Sequence, residues 1–151
     1  MDDTLLSYLV LLASIILLYF PVFALGNIEK MKLDELIRLH PRFAWLKQVY
    51  GILLAILFLP LVVLAFYFSA HQNQLEGSFI LLFVPFISAF SLFHGILAFT
   101  TGVHPIWVTK NSIRYWYDER HNKTWIAEVQ IGLAIMFIAV SLFLYFTDVF
   151  R

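Results

Sequence analysis

The stretch from Gly77 to Thr109 contains no Asp, Glu, Lys or Arg, and an uncharged run well beyond about 18 residues reads as a helix that crosses a bilayer. No other feature narrows the fold so far. A segment in lipid must satisfy its backbone N–H and C=O groups internally, which a long apolar run does as an α-helix. Within this run Ser88, Ser91, Gly95, Ala98 and Gly102 recur at steps of three and four. These small residues share one helical face, a seam at which another membrane helix can approach closely.

Three further runs have the same character. Leu5 to Leu25 follows Asp2 and Asp3; a secretory signal needs a positive start and a shorter apolar core, so this run is a retained span. Gln48 to Gln74 is uncharged and carries Pro60 and the small pair Gly51 and Ala55, and the last run extends from Val129 to Thr147 with Gly132 and Ala139 as its small residues. Spans at about 5–25, 48–69, 78–101 and 125–147 predict one all-α membrane domain over residues 1–151, four transmembrane helices in an up-and-down bundle. A chain 62% hydrophobic and 13% charged is too apolar for a soluble domain of this size. It has no cysteine, which excludes disulfides, thiolate nucleophiles and Cys-based metal sites.

The connections are informative in their own right. Gly26 can end the first span in a left-handed cap, and Asn27 can then start a short helix lying on the membrane surface, with Lys30, Asp34 and Arg38 four residues apart and Pro41 as its stop. A tight polar turn is expected between spans two and three. Between spans three and four, Ile106 to Thr109 and Ile113 to Tyr117 are β-branched and aromatic around Lys110, Asn111 and Ser112. That pattern predicts a small hairpin, with a helical continuation as the alternative. All Lys and Arg residues except Arg151 fall in these two connections. The positive-inside rule then puts both in the cytoplasm and both termini outside, in the inner (plasma) membrane. Trp45, Trp107, Trp116 and Trp125 sit at or near the same boundary, where amphipathic rings favour the headgroup layer.

A weak internal echo links Trp45, Leu46, Gln48 and Val49 with Trp125, Ile126, Glu128 and Val129. Glu128 falls about where Lys47 sits at the paired entry to span two, which predicts an ion pair between the second and fourth spans near the interface.

His94 is the ionisable side chain deepest in a span. Packing against Ser91 or a carbonyl, a proton relay and haem ligation are its three readings, the last with His104 or with His94 of a second copy. His40, His104, His121, Asp118 and Glu119 lack metal-ligand spacing, so no metal and no cofactor is expected. Phosphate loops, nucleophile elbows and dinucleotide signatures are absent. Arg114, Tyr115, Trp116, Tyr117, Arg120 and Lys123 form a basic and aromatic stretch that suits a partner protein or lipid headgroups. Asp118 and Glu119 blunt its field, so direct nucleic-acid contact is not expected.

The expected function is a non-catalytic membrane subunit in contact with lipid, homo-oligomeric through its small-residue seams. It would serve as sensor or anchor for a cytoplasmic effector protein, in the manner of bacterial defence (antiviral) or signalling systems. The alternatives are a small ion or proton channel or transporter subunit with His94 in the path, and a haem-binding redox subunit.

Overall fold

A computed structural model describes residues 3–70, 76–109 and 112–149. In chain order the elements are α1 (Asp3–Leu25), α2 (Leu33–Leu39), a 3-10 turn at Pro41–Phe43, α3 (Leu46–Ala70), α4 (Glu76–Thr101), β1 (Val103–Thr109), β2 (Ser112–Tyr117) and α5 (Thr124–Val149). Four candidate spans, Leu5–Leu25 in α1, Pro41–Pro60 from the 3-10 turn into α3, Phe83–Thr101 in α4 and Thr124–Thr147 in α5, are long and apolar enough to cross a membrane, the pattern of a multi-pass membrane protein. Pro21, Pro60 and Pro85 lie inside α1, α3 and α4; membrane helices tolerate this because neighbours and local adjustments re-satisfy the freed carbonyl. Of the turn expected from Ala70 to Ser78, residues 71–75 lie outside the described residues, as do the hairpin tip at Lys110 and Asn111 and Arg151, while Ala70 ends α3 and Glu76 begins α4.

α4 is the central helix, packed along α5 on one side and α1 on the other, while α1 also touches α5. Small side chains make this approach close. Ser7 and Ser14 of α1, Ser88, Ser91 and Ala98 of α4, and Ala127, Ala134 and Ser141 of α5 are all buried. A Cβ added at Gly95 would lie 2.8 Å from Ile131 Cγ1 and 3.3 Å from the Ala127 carbonyl oxygen, so the seam is filled by α5 of the same chain. Leu12, Ile16, Phe23, Ile135 and Phe143 are exposed and give the bundle an apolar exterior suited to lipid.

The four helices do not all pack alike. Leu46 and Tyr50 in the first turns of α3 are buried, but no described side chain from Gly51 to Phe66 is. The bundle is therefore three helices, with the second span standing off. Gly51 and Ala55, Gly132 and Ala139 are exposed rather than seam residues, and a Cβ at Gly132 would meet nothing within 4 Å. The helical period explains the difference on α5. Ala127, Ala134 and Ser141 repeat every seven residues on one stripe, and a displacement of five residues turns Gly132 and Ala139 well away from it.

A folded cap closes the end of the bundle where α1 and α4 finish and α3 and α5 begin. β1 and β2 pair antiparallel, with Val103 opposite Tyr117, His104 opposite Trp116 and Pro105 opposite Tyr115. Both faces of the hairpin are covered. Val103 and Tyr115 pack with Leu36, Phe43, Leu46, Tyr50 and Leu97, while Ile106 and Trp116 pack with Leu25, Ile28 and Ile126. On its free edge β2 takes up Met31, whose N–H donates to the Tyr115 carbonyl and whose carbonyl accepts the Tyr115 N–H, both at 2.8 Å.

This pairing corrects the expected surface helix. Gly26 does end α1, at φ +60° with its N–H donating to the Val22 carbonyl at 3.0 Å, but the helix that follows starts only at Leu33 and has no side-chain cap. Asn27 lies in a turn instead. Gly102 is corrected too. It lies one residue beyond α4 at φ +75°, where its N–H donates to the Ala98 carbonyl and an added Cβ would lie 2.7 Å from the Asp118 carbonyl oxygen. Its role is to turn the chain from helix into strand, not to extend the seam.

Candidate functional site

Two groups of polar side chains stand out, one inside the bundle and one at its capped end. Along the bundle interior Ser7, Ser14, Ser88, Ser91, His94, Gln130 and Ser141 are all buried. They follow from the seam, because the small residues that let helices approach are here mostly serines. Ser14 donates to the Leu11 carbonyl at 2.7 Å and Ser141 to the Ile138 carbonyl at 3.0 Å, so these hydroxyls are satisfied within their own helices. Ser88 Oγ, Ser91 Oγ and His94 Nε2 make no hydrogen bond among the described residues.

His94 is 1% exposed. Its ring centroid lies 4.3 Å from Phe90, 5.7 Å from Tyr50 and 6.0 Å from Phe93. Aromatic rings of the same chain thus enclose His94 on several sides. The expected bond from His94 to Ser91 is not made.

At the capped end His104 is 2% exposed, with its ring 5.2 Å from Trp116 and its Nδ1 making no hydrogen bond among the described residues. Burial pushes its pKa down to about 4; Asp118 works against that shift and His121 adds to it. Asp118 is itself buried. Its N–H donates to the Gly102 carbonyl at 2.8 Å, and its Oδ2 accepts the Lys123 N–H at 2.7 Å, holding the turn that leads into α5. The sequence suggests a solvated turn here; the structure buries Asp118 within it and uses its carboxylate to hold the turn. Among the described residues no three His, Asp or Glu side chains gather as metal ligands would.

Of the basic and aromatic stretch, Arg120 is exposed, and Arg114, Trp116, Tyr117 and Lys123 are half-buried. Tyr115 is a correction. It is 4% exposed and its ring lies 6.0 Å from Tyr50, because strand alternation turns it to the core face of β2. Burial raises the pKa of its phenol. The expected pair of Lys47 with Glu128 is not formed either. Lys47 Nζ lies 2.5 Å from Asp34 Oδ1 on α2, and this ammonium holds the Asp34 carboxyl below the usual range. Glu128 is exposed and makes no ion pair among the described residues.

Arg42 is the functional candidate that the sequence did not single out. Its Nη2 donates to the Tyr117 hydroxyl, and its guanidinium carbon lies 4.9 Å from the centre of the Phe43 ring and 5.3 Å from that of Tyr117. His40 meets the Tyr117 ring edge-on at 4.6 Å. Beside Arg42 opens a pocket of about 460 Å³, lined also by Trp45, Thr100, Tyr117, Glu119 and His121. Charge of both signs, hydroxyls and aromatic faces thus converge at the end of α4, an arrangement suited to binding. Compared with protein-family models, curated proteins and solved structures, the chain matches none.

Proposed function

We propose that this protein is a non-catalytic subunit of the inner (plasma) membrane that holds a soluble effector protein on its cap, with the cap in the cytoplasm and both termini outside. One observation carries the reading. The two basic connections are joined by the paired backbone bonds between Met31 and Tyr115, so they present one shaped surface rather than two loose loops. Arg38, Glu35 and Arg120 are exposed on it, the kind of mixed polar rim that protein interfaces use. Self-association belongs to the same reading. Since α5 fills the seam at Gly95, copies would meet through outer faces such as that of α3. Sensing in a bacterial defence or signalling system is the setting we infer.

The test is capture of the tagged protein from native membranes. A single soluble protein should be retained in stoichiometric amount and lost from the double variant Arg38→Glu, Arg120→Glu, with the thermal midpoint unchanged. If nothing soluble is retained in stoichiometric amount, the reading fails.

A second reading, a small proton or ion channel subunit with His94 in its path, is favoured by the line of buried polar side chains on α1, α4 and α5. Intramembrane polar groups mark such paths by default. Proteoliposomes loaded with a pH dye would show a proton leak that His94→Ala abolishes. Without that leak this second reading is discarded.

A further inference from the structure

The pocket beside Arg42 is polar at a level where its surroundings turn apolar. Thr100 stands at the end of the apolar span Phe83–Thr101, and Trp45 is exposed just ahead of α3. The pocket therefore opens at the boundary between hydrocarbon and headgroups, the level that tryptophan favours. Acyl chains cannot satisfy its polar groups. A ligand with the matching pattern of charges can.

Arg42 has one N–H on the Tyr117 hydroxyl and its face against the Phe43 and Tyr117 rings, which fixes the fork. A guanidinium carries five N–H donors in all, so donors remain for a phosphate, which arginine binds in bidentate fashion. Glu119 on the pocket wall supplies the opposite charge for an ammonium, and the Trp45 side chain also lines the pocket. The volume of about 460 Å³ falls within the roughly 300–1,000 Å³ of small-ligand sites.

We infer that this pocket binds a phosphodiester bearing a primary ammonium, the phosphoethanolamine group, with its phosphate on Arg42 and its ammonium on Glu119. In a bilayer the source is phosphatidylethanolamine; in solution it is glycerophosphoethanolamine. An anionic headgroup such as phosphatidylglycerol leaves the Glu119 carboxylate without a counter-charge, and the quaternary ammonium of phosphatidylcholine offers it no N–H. The inference is independent of the docked effector, since it uses the pocket wall and neither Arg38 nor Arg120.

The test uses the full chain in nanodiscs of equal phosphatidylethanolamine, phosphatidylcholine and phosphatidylglycerol, with retained lipid counted by native mass spectrometry. Phosphatidylethanolamine should be retained about tenfold over the other two, the scale of one charge-assisted hydrogen bond. Arg42→Gln should lower phospholipid retention about tenfold, and Arg42→Lys should restore part of it. Glu119→Gln, at an exposed position outside the packed core, should keep the bound phospholipid but erase the preference among headgroups, so the proposal remains testable even if the Arg42 variants fail to fold. Excess glycerophosphoethanolamine that displaces the lipid identifies the free group as sufficient. Lipid that stays in place shows that the acyl chains add to binding at the same site. Equal retention of the three lipids by the unaltered protein, or a preference that survives Glu119→Gln, overturns the inference.

Discussion

His104 couples the cap to pH. Its imidazole has a pKa of about 4 in the folded protein against an ordinary 6.5, so as pH falls the unfolded chain takes up the proton first. The stabilisation this gives is complete above about pH 6.5 and is lost on descending to about pH 4. The shift caps it at about 3 kcal/mol. We predict that the thermal midpoint drops between about pH 7.5 and about pH 5, and that His104→Phe flattens the drop, since it replaces a buried ring lacking a hydrogen bond on Nδ1 with an apolar one. An equal drop in both proteins would assign the effect elsewhere. Nothing in the local sequence marks His104 as buried. Its neighbours Val103 and Pro105 suggest a strand, but its cover comes from Trp116 on the next strand, and a contact made across a hairpin has no periodic trace in either half. Arg42 was illegible for the same reason: Thr100, Tyr117 and Glu119, which share its pocket, come from far along the chain.

At the scale of elements, Gly95 of α4 and Gly132 of α5 differ in what surrounds them. Gly95 lies under Ile131 and the Ala127 carbonyl, while Gly132 has open space around its Cα. Gly95→Leu should therefore lower stability by about 1–3 kcal/mol, the usual cost of overpacking, and Gly132→Leu should leave it nearly unchanged. Thermal unfolding in detergent reads both, and a Gly95→Leu protein as stable as the parent would show that α4 and α5 do not meet there. The limits of the four long helices were readable to within a few residues, because charged or polar residues and Gly bracket the apolar runs. Which faces pack was readable only for α4, where the small residues of the seam form a dense stripe. For α3 the run is apolar all round, so its pattern marks a membrane span without saying that it stands off. Lys47 found Asp34 because the short α2 folds back toward the start of α3, a return that the echo between the second and fourth spans does not encode.

For the whole molecule, orientation is the prediction that decides most. Cysteines placed at Glu35 and Arg120, both exposed, should be shielded from a membrane-impermeant reagent on intact cells, whereas an added N-terminal cysteine should react. Labelling of Glu35→Cys from outside would reverse the proposed placement of the cap. The hairpin itself was legible from its β-branched and aromatic strands, but its third edge was not. Met31 reaches Tyr115 across two complete spans, and a pairing of that length is invisible to any local pattern. Its consequence lies in the timing of synthesis. Closing so long a loop carries an entropic penalty until neighbouring packing offsets it, and residues 103–117 leave the ribosome only after three spans have been made. Met31 therefore waits, unpaired, until Tyr115 has been made, and the surface it completes exists only on chains that have reached β2. Anything that recognises that surface passes over chains that stop short of Tyr115.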